Sequence, residues 1–150
     1  MFIVNKKEME INISSDHAGV SLKSTIVNYL KEKVIVHDLG PFNEDSVDYP
    51  DYAHKLISNM KTNNVPIGIL ICGSANGVSM AANKHKNIRA AICWNKEIAA
   101  LAKQHNDANI LSLPARFLTE QQALDIVDTF LSTNFEGGRH LRRVNKINCD

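Results

Sequence analysis

The feature that most constrains this chain is a regular alternation between short apolar segments and longer amphipathic ones. The segments with the length and composition of strands lie at residues 11–14, 34–38, 67–72, 90–94 and 110–113. Between them, apolar residues recur at helical spacing, as in the segment 20–30 that follows the first strand. Alternation of this kind with short connections predicts one parallel sheet covered by helices on both faces.

The chain is therefore predicted to form one α/β domain, a three-layer sandwich around a five-stranded parallel sheet of Rossmann-like form. A short C-terminal helix is expected over residues 139–147, after the Gly137-Gly138 break. The domain is assigned to residues 10–150, and residues 1–9 are treated as an N-terminal extension. At 150 residues, one such domain can bury a core without disulfides or a metal.

Charge and cysteine content argue against several classes of protein. A formal net charge of +1 does not suit a nucleic-acid partner, which requires a basic stripe. Cys72, Cys93 and Cys149 are an odd number without paired spacing, unlike a disulfide scaffold or a zinc site. The first residues lack the apolar core of a signal peptide, and no apolar run approaches the roughly 20 residues of a membrane span. We therefore expect a cytoplasmic protein with a small-molecule partner and no membrane partner.

Cys72 ends the most apolar strand and precedes a glycine-bounded loop at residues 73–77. Backbone N–H groups of such a loop can converge on an anion, and the same field favours a thiolate, which lowers the pKa of the thiol. The thiol can then serve as a nucleophile, a redox switch or a general base. The alternative is a small buried side chain of the core, and position alone leaves both interpretations open.

Familiar phosphate-binding loops do not fit this segment. A cysteine-based phosphatase loop needs an arginine at about position 78, where this chain has Val78. The glycines at positions 73 and 77 do not follow the G-x-G-x-x-G order of dinucleotide-binding loops, and the Gly-Lys-Ser/Thr of a Walker A loop is missing there. The loop is therefore interpreted as an anion-binding loop of another kind.

Two polar segments are candidate partners of the cysteine, because ligands of parallel sheets bind beyond the carboxyl ends of the strands. Asp16 and His17 follow the first strand and can handle sugar hydroxyls or a phosphate, while an N-cap role for Asp16 is the alternative. Residues 104–107 follow the helix after the fourth strand and are assigned to the same edge. There His105 can protonate a sugar oxygen and Asn106 can bind a hydroxyl, whereas spacing alone favours a helix C-terminus.

Arg139 and Arg143 lie four residues apart, so one face of the predicted C-terminal helix can present both guanidinium groups. Two arginines on one face suit a phosphate, which they bind through charge-assisted and often bidentate hydrogen bonds. Arg142 lies one step round the helix, and a solvated basic tail is the alternative for all three. The glycine pair before the helix lets it fold back on the protein or reach a neighbouring subunit.

Taken together, these segments resemble the ribose-5-phosphate isomerase B family and the related galactose-6-phosphate isomerase subunits. The matching segments run in family order and read SDHAG at 15–19, DYP at 48–50, ILICG at 69–73, AANK at 81–84, QHND at 104–107 and EGGRH at 136–140. Some branches of the family use a glutamate as the base. The presence of Cys72 assigns this chain to the cysteine branch.

The resemblance implies an aldose–ketose isomerase that interconverts D-ribose 5-phosphate and D-ribulose 5-phosphate, in the non-oxidative branch of the pentose phosphate pathway, without metal or cofactor. It implies that Cys72 moves a proton between C2 and C1, that His105 opens the sugar ring, and that Asp16 and Ser74 assist catalysis. The residues that it assigns to the substrate are Asp16, His17, Tyr49, Gly73, Ser74, Ala75, Asn76, Gly77, Asn106, Arg139 and Arg143. Because the sites of the family lie between subunits, a homodimer or homotetramer is implied.

Two positions depart from the usual family pattern. Ser74 stands where threonine is frequent and keeps a hydroxyl, whereas Ala75 stands where glycine is frequent and needs a loop that accommodates a Cβ. Three alternatives stay open at this stage. They are the same reaction on a six-carbon phosphate such as allose or galactose 6-phosphate, a non-catalytic sugar-phosphate sensor, and a redox-sensing thiol protein.

Overall fold

The structure is a computed structural model and describes residues 8–149. Its strands are β1 (Glu10–Ser15), β2 (Ile35–Asp38), β3 (Ile67–Cys72), β4 (Ala90–Ile92) and β5 (Ile110–Pro114). Its α-helices are α1 (Val20–Leu30), α2 (Tyr49–Asn63), α3 (Asn76–Ala82), α4 (Lys96–Asn106), α5 (Glu120–Ser132) and α6 (Arg139–Val144). The strands pair in parallel in the order β2-β1-β3-β5-β4.

Helices cover both faces of this sheet, which confirms the predicted three-layer α/β sandwich of Rossmann-like form. On one face, α1, α4 and α5 enclose a core that includes Ile26, Ala99 and Phe130. On the other face, α2 and α3 enclose a second core around Leu56 and Val78. Both faces of the sheet are thus shielded from solvent, as parallel strands joined by helical crossovers require.

The central strand β3 explains the continuous apolar run that precedes the loop. It pairs with β1 on one side and with β5 on the other. Ile69 and Ile71 pack into the first core, while Leu70 and Cys72 pack into the second. Side chains that point to either face are therefore buried, so the strand has no polar alternation. The Cys72 thiol projects towards α2 and α3.

Two elements end at least two residues earlier than the sequence predicts. β4 ends at Ile92 rather than at residue 94, because the chain turns there towards Asn95, whose side chain caps α4 by accepting a hydrogen bond from Ile98 N at 2.8 Å. α6 ends at Val144, and the following residues continue as a tighter turn in which Ile147 N donates to Val144 O at 3.1 Å.

The predicted N-terminal extension falls largely on residues 1–7, which lie outside the described residues. β1 begins at Glu10. The boundary between the extension and the domain stays a prediction. Within residues 8–149, every helix is too short or too polar to cross a membrane.

Candidate active site

A buried thiol–carboxylate pair lies at the carboxyl edge of the sheet. β1 and β3 are adjacent, and Ser15 is the register partner of Ile71, so the next residue of each strand reaches the same edge. There the Cys72 Sγ donates a hydrogen bond of 3.1 Å to Oδ2 of Asp16. Cys72 is 8% exposed and Asp16 is 6% exposed. The structure thus brings together two of the predicted catalytic side chains.

The Asp16 carboxylate also has a structural partner. Its Oδ1 accepts a hydrogen bond of 2.9 Å from Ala18 N and caps the 3₁₀ turn His17–Gly19 that leads into α1. Its own backbone N–H donates to Ile71 O at 3.0 Å. The capping role is therefore confirmed, and it coexists with the contact to the thiol because the two carboxylate oxygens serve different partners.

The pKa of the Cys72 thiol is raised, whereas the sequence predicted that the loop would lower it. Burial is the largest cause of the raised pKa, followed by the hydrogen bond to Asp16 and the negative charge of that carboxylate. Backbone N–H groups of Gly73 and Ala75 act in the opposite direction. The prediction was wrong because it counted only these donors. In this subunit, burial and the Asp16 carboxylate therefore favour the protonated thiol.

The loop after Cys72 is held in an unusual conformation at Ala75. This residue has φ +65° although it carries a Cβ, and it is fully buried at the start of α3. A left-handed conformation costs a non-glycine residue about 1–2 kcal/mol. The Ser79 hydroxyl donates a hydrogen bond of 2.7 Å to Ala75 O, which helps to fix this conformation. The loop therefore keeps the left-handed conformation that suits the glycine of the family pattern, and Ala75 adopts it with backbone strain.

Ser74 and Asn76 form the exposed rim of the loop. The Ser74 hydroxyl accepts a hydrogen bond of 3.2 Å from the side-chain amide of Asn76 and a longer one, of 3.4 Å, from its backbone N–H. Both residues are exposed, so their polar groups are accessible to a ligand above the thiol. Their catalytic and binding roles stay predictions.

Tyr49 and His17 border the same edge. The Tyr49 ring lies directly against the backbone of Gly77, where a Cβ would be 2.6 Å from two ring carbons, so only glycine fits there. His17 Nδ1 accepts a hydrogen bond of 3.3 Å from Val47 N, which ties it to the loop before α2. We call Asp16, His17, Tyr49, Cys72 and the loop at residues 73–77 the carboxyl-edge half-site.

Arg116 lies beside this half-site, although it was not among the predicted site residues. A Cβ on Gly73 would lie 3.2 Å from the Arg116 guanidinium carbon, and Arg116 N donates to Gly73 O at 3.1 Å. Arg116 forms no ion pair with a carboxylate of residues 8–149. Its position just after β5 was the available signal, because that strand neighbours β3 in the sheet.

The cluster at residues 104–107 lies at the opposite edge of the sheet, so its assignment to the carboxyl edge was wrong. α4 connects the end of β4 to the start of the parallel strand β5, and it must therefore run back across the sheet. Its 11 residues span about 16 Å. His105 and Asn106 consequently sit at the amino edge, away from the Cys72 thiol of the same subunit.

His105 lies within a compact group of ionisable side chains at the amino edge. Its ring stacks on that of His140, with centroids 4.2 Å apart and planes inclined by 10°. Glu136 Oε2 lies 3.6 Å from His140 Nε2 and 4.0 Å from His105 Nε2. Burial is the main reason why the pKa of His140 is lowered, and the nearby His105 and Arg139 lower it further.

Arg139 and Arg143 project from α6, which packs against α4 next to His105. Both side chains are exposed, as is Arg142, and none of the three forms an ion pair with a carboxylate in the part of the chain that the structure describes. We call His105, Asn106, Arg139 and Arg143 the amino-edge half-site. The predicted site residues thus fall into two groups at opposite edges of one subunit.

A doubly covered parallel sheet with a thiol–carboxylate pair at its carboxyl edge defines an α/β enzyme of the class that binds small ligands beyond its strand ends. A sequence model of the family described as Ribose/Galactose Isomerase matches residues 11–147. The chain belongs to this family and is a sugar phosphate isomerase. The resemblance to the ribose-5-phosphate isomerase B family is thereby confirmed.

Similar proteins of known sequence or structure agree with this membership. The probable ribose-5-phosphate isomerase B of Mycoplasma pneumoniae is 51% identical over 139 residues, covering 91% of each chain. The crystal structure of a ribose 5-phosphate isomerase of Thermotoga maritima is 51% identical with a TM-score of 0.90, covering 93% of this chain and 97% of its own. The ribose-5-phosphate isomerase B of Mycoplasma genitalium with bound ribulose-5-phosphate is 47% identical with a TM-score of 0.88, covering 94% of this chain and 95% of its own.

Proposed function

We propose that this protein interconverts D-ribose 5-phosphate and D-ribulose 5-phosphate through an enediolate, with Cys72 as the base. The observation that carries the proposal is the Cys72 thiol, bonded at 3.1 Å to Asp16 beneath a loop of backbone donors. The similar protein of Mycoplasma genitalium, described with bound ribulose-5-phosphate, supports the choice of substrate. A place in the non-oxidative branch of the pentose phosphate pathway goes with that substrate.

The reaction needs a base that can take a proton from C2 and return it at C1. A Cys72 thiolate removes the C2 proton, so that an S–H bond forms and the C2–H electrons enter the enediolate. The thiol then delivers this proton to C1 while a hydroxyl proton passes from O2 to O1, which regenerates the thiolate and gives the ketose. Backbone N–H groups of Gly73 and Ala75 already face the sulfur and suit the negative charge that develops beside it. This chemistry is an internal proton transfer, so it requires no metal or cofactor.

Substrate binding is the step that frees the thiolate in this proposal. Asp16 raises the pKa of Cys72 both as a hydrogen-bond acceptor and as a negative charge. Sugar hydroxyls that donate to the Asp16 carboxylate replace the thiol as its partner and partly neutralise its charge. The backbone donors of Gly73 and Ala75, which lower the pKa of Cys72, are then opposed less by Asp16. The pKa of the thiol falls, and it loses its proton more readily.

We further propose that each active site combines the carboxyl-edge half-site of one subunit with the amino-edge half-site of another. Sugar chemistry at Cys72 requires a group that opens the ring, and His105 of the same subunit is at the wrong edge. A homodimer or homotetramer can place the amino-edge half-site of a second subunit over the first. Arg139 and Arg143 would then bind the phosphate, together with Arg116 beside the loop.

A panel of aldose phosphates tests the choice of substrate. We expect kcat/KM to be highest for ribose 5-phosphate, the aldose that corresponds to the ribulose-5-phosphate bound by the similar protein of Mycoplasma genitalium. Allose 6-phosphate and galactose 6-phosphate are the informative competitors, since they present the same carbons on a longer chain. A higher kcat/KM for either one would replace the five-carbon assignment. The cytoplasmic location expected from the sequence stays a prediction.

A further inference from the structure

The ligand atoms of His105, Glu136 and His140 lie close together beside α6. These atoms lie within 4.8 Å of one another, and both imidazole Nε2 atoms face the same carboxylate oxygen. Two imidazoles and a carboxylate are a donor set that zinc uses in proteins. We propose that these three residues form a Zn²⁺ site, and that zinc bound there inhibits the enzyme.

The distances require only a modest contraction of the trio. Zinc binds imidazole nitrogen at about 2.0–2.1 Å and carboxylate oxygen at about 2.0–2.2 Å, so tetrahedral ligand atoms lie roughly 3.3 Å apart. The Glu136 oxygen is already 3.6 Å from His140 Nε2 and 4.0 Å from His105 Nε2. Its side chain is 52% exposed and can move. The stacked imidazole planes need to fan apart so that both lone pairs meet the ion.

The backbone holds the three ligands near this geometry. Glu136 N donates to Gln104 O at 3.1 Å, which joins the residue before His105 to the segment before α6. Gly137 and Gly138 then adopt φ values of +68° and +55°, a turn that returns the chain so that His140 comes back beside Glu136. The site therefore links the end of α4 to α6. Metal binding should clamp these two helices together.

The donor set, two imidazoles and one carboxylate, selects the kind of metal. Arg139 and Arg143 lie close enough to His140 to repel a positive charge, and Glu136 is the negative member of the trio. A hard cation such as Mg²⁺ depends on several oxygen ligands and is disfavoured here. Zinc gains most of its affinity from imidazole nitrogen and tolerates this setting better. Three protein ligands leave one coordination position open.

In the proposed function His105 opens the sugar ring, and the expected inhibition by zinc rests on that role. A zinc ion on Nε2 occupies the lone pair that would carry the proton for ring opening. The same ion fixes α6, which carries Arg139 and Arg143. Zinc at this site therefore acts on the amino-edge half-site and leaves the Cys72 thiol untouched.

Zinc affinity measured by competition with a chromophoric chelator tests the site. All proteins carry Cys149→Ser, so that the exposed thiol does not bind the metal. We expect one Zn²⁺ per chain, a rise in the unfolding temperature on binding, and no binding of Mg²⁺. Glu136→Gln and His140→Gln should each weaken zinc binding at least about tenfold, because even outer partners of a metal ligand contribute that much. Glu136 is exposed, so its variant keeps the test valid if His140→Gln misfolds.

His85→Gln is the matched control, because His85 Nε2 pairs with His54 Nδ1 at 2.6 Å as a second two-histidine cluster on the surface. It should leave the zinc affinity unchanged. Equal affinity of the parent protein and Glu136→Gln would overturn the site. Inhibition by zinc is compared in each variant with its own metal-free rate. If zinc inhibits Glu136→Gln as strongly as the parent protein, the proposed site is not the cause of inhibition. If zinc binds at the site without inhibiting the enzyme, the zinc site stands but the proposed role of His105 in ring opening is wrong.

Discussion

The two edges of the sheet carry the two halves of the candidate site in contrasting ways. At the carboxyl edge, Asp16 and Cys72 are buried, and a strained loop and two strand ends hold them in position. At the amino edge, Asn106, Arg139 and Arg143 are exposed on helix ends. The first half buries a thiol–carboxylate pair that shares a hydrogen bond, whereas the second presents unpaired guanidinium groups of the described residues to solvent.

In the proposed function, this contrast separates proton chemistry from phosphate binding within one small domain. In the buried half, burial and then a carboxylate both raise the pKa of the thiol. The exposed half keeps its guanidinium groups hydrated until a ligand or a second subunit arrives. If the two halves meet only across a subunit interface, a complete site exists only in the assembly. The predictions below test this division of roles.

The largest effect is expected from removal of the thiol. Cys72→Ala should reduce kcat by about 10²–10⁴-fold, because a general base typically contributes that factor. Binding of ribulose 5-phosphate, measured calorimetrically, should survive because the phosphate ligands are elsewhere. Cys149→Ala, which removes an exposed thiol, is the matched control and should retain full turnover. Substantial turnover by Cys72→Ala would reject the cysteine as the base.

A smaller effect, and of a different kind, is expected at the amino edge. Arg139→Ala and Arg143→Ala should each weaken substrate binding by about 1.5–3 kcal/mol, the range for hydrogen bonds to charged groups. The loss should appear mainly as a KM raised about tenfold or more. Arg142→Ala removes a neighbouring exposed arginine of α6 and serves as the control. An unchanged KM in the first two variants would exclude a phosphate contact.

Asp16→Asn should change the pKa of the Cys72 thiol at the carboxyl edge. The carboxylate raises the pKa of Cys72, so its replacement by a neutral amide should lower that pKa. Thiolate then appears at lower pH, and alkylation of Cys72 by iodoacetamide at neutral pH becomes faster. Peptide mapping provides the internal control, because burial raises the pKa of Cys93 to about 12 and keeps it unreactive. Slower alkylation of Cys72 in the variant would mean that the Asp16 carboxylate lowers the pKa of the thiol instead of raising it.

The smallest effect is expected from relief of strain in the loop. Ala75→Gly removes a buried methyl group at the start of α3 and also relieves the left-handed strain there. Ala82→Gly removes an equally buried methyl group at the end of α3, where there is no such strain to relieve. The free energy of unfolding should therefore fall less for the first variant than for the second, by about 1–2 kcal/mol. Denaturant titration measures both. Equal losses would mean that the loop holds Ala75 without strain.

The fold and the carboxyl edge were largely predictable because their signals are local. Apolar runs, helical spacing and the small residues after Cys72 specify strands, helices and the loop within short stretches of chain. The Asp16 cap was also visible as a local pattern. Membership of the family then supplied the order of the remaining motifs.

What the sequence did not reveal depends on contacts between distant segments. The pKa of Cys72 is raised mainly by burial and further by a carboxylate 56 residues away in the sequence. The edge to which His105 belongs follows from the direction of α4 relative to the sheet, which no local motif encodes. Arg116 and the grouping of His105 with Glu136 and His140 likewise arise from packing alone.

Subunit complementation tests whether one active site draws residues from two subunits. Cys72→Ala and His105→Gln are each expected to be nearly inactive, and they lie in different halves of the proposed site. Co-refolding equal amounts gives mixed dimers in which one site has both wild-type residues and the other has neither. Random pairing should therefore restore about a quarter of wild-type activity. Mixed dimers that form, as shown by native mass spectrometry, yet stay inactive would contradict a site shared between subunits.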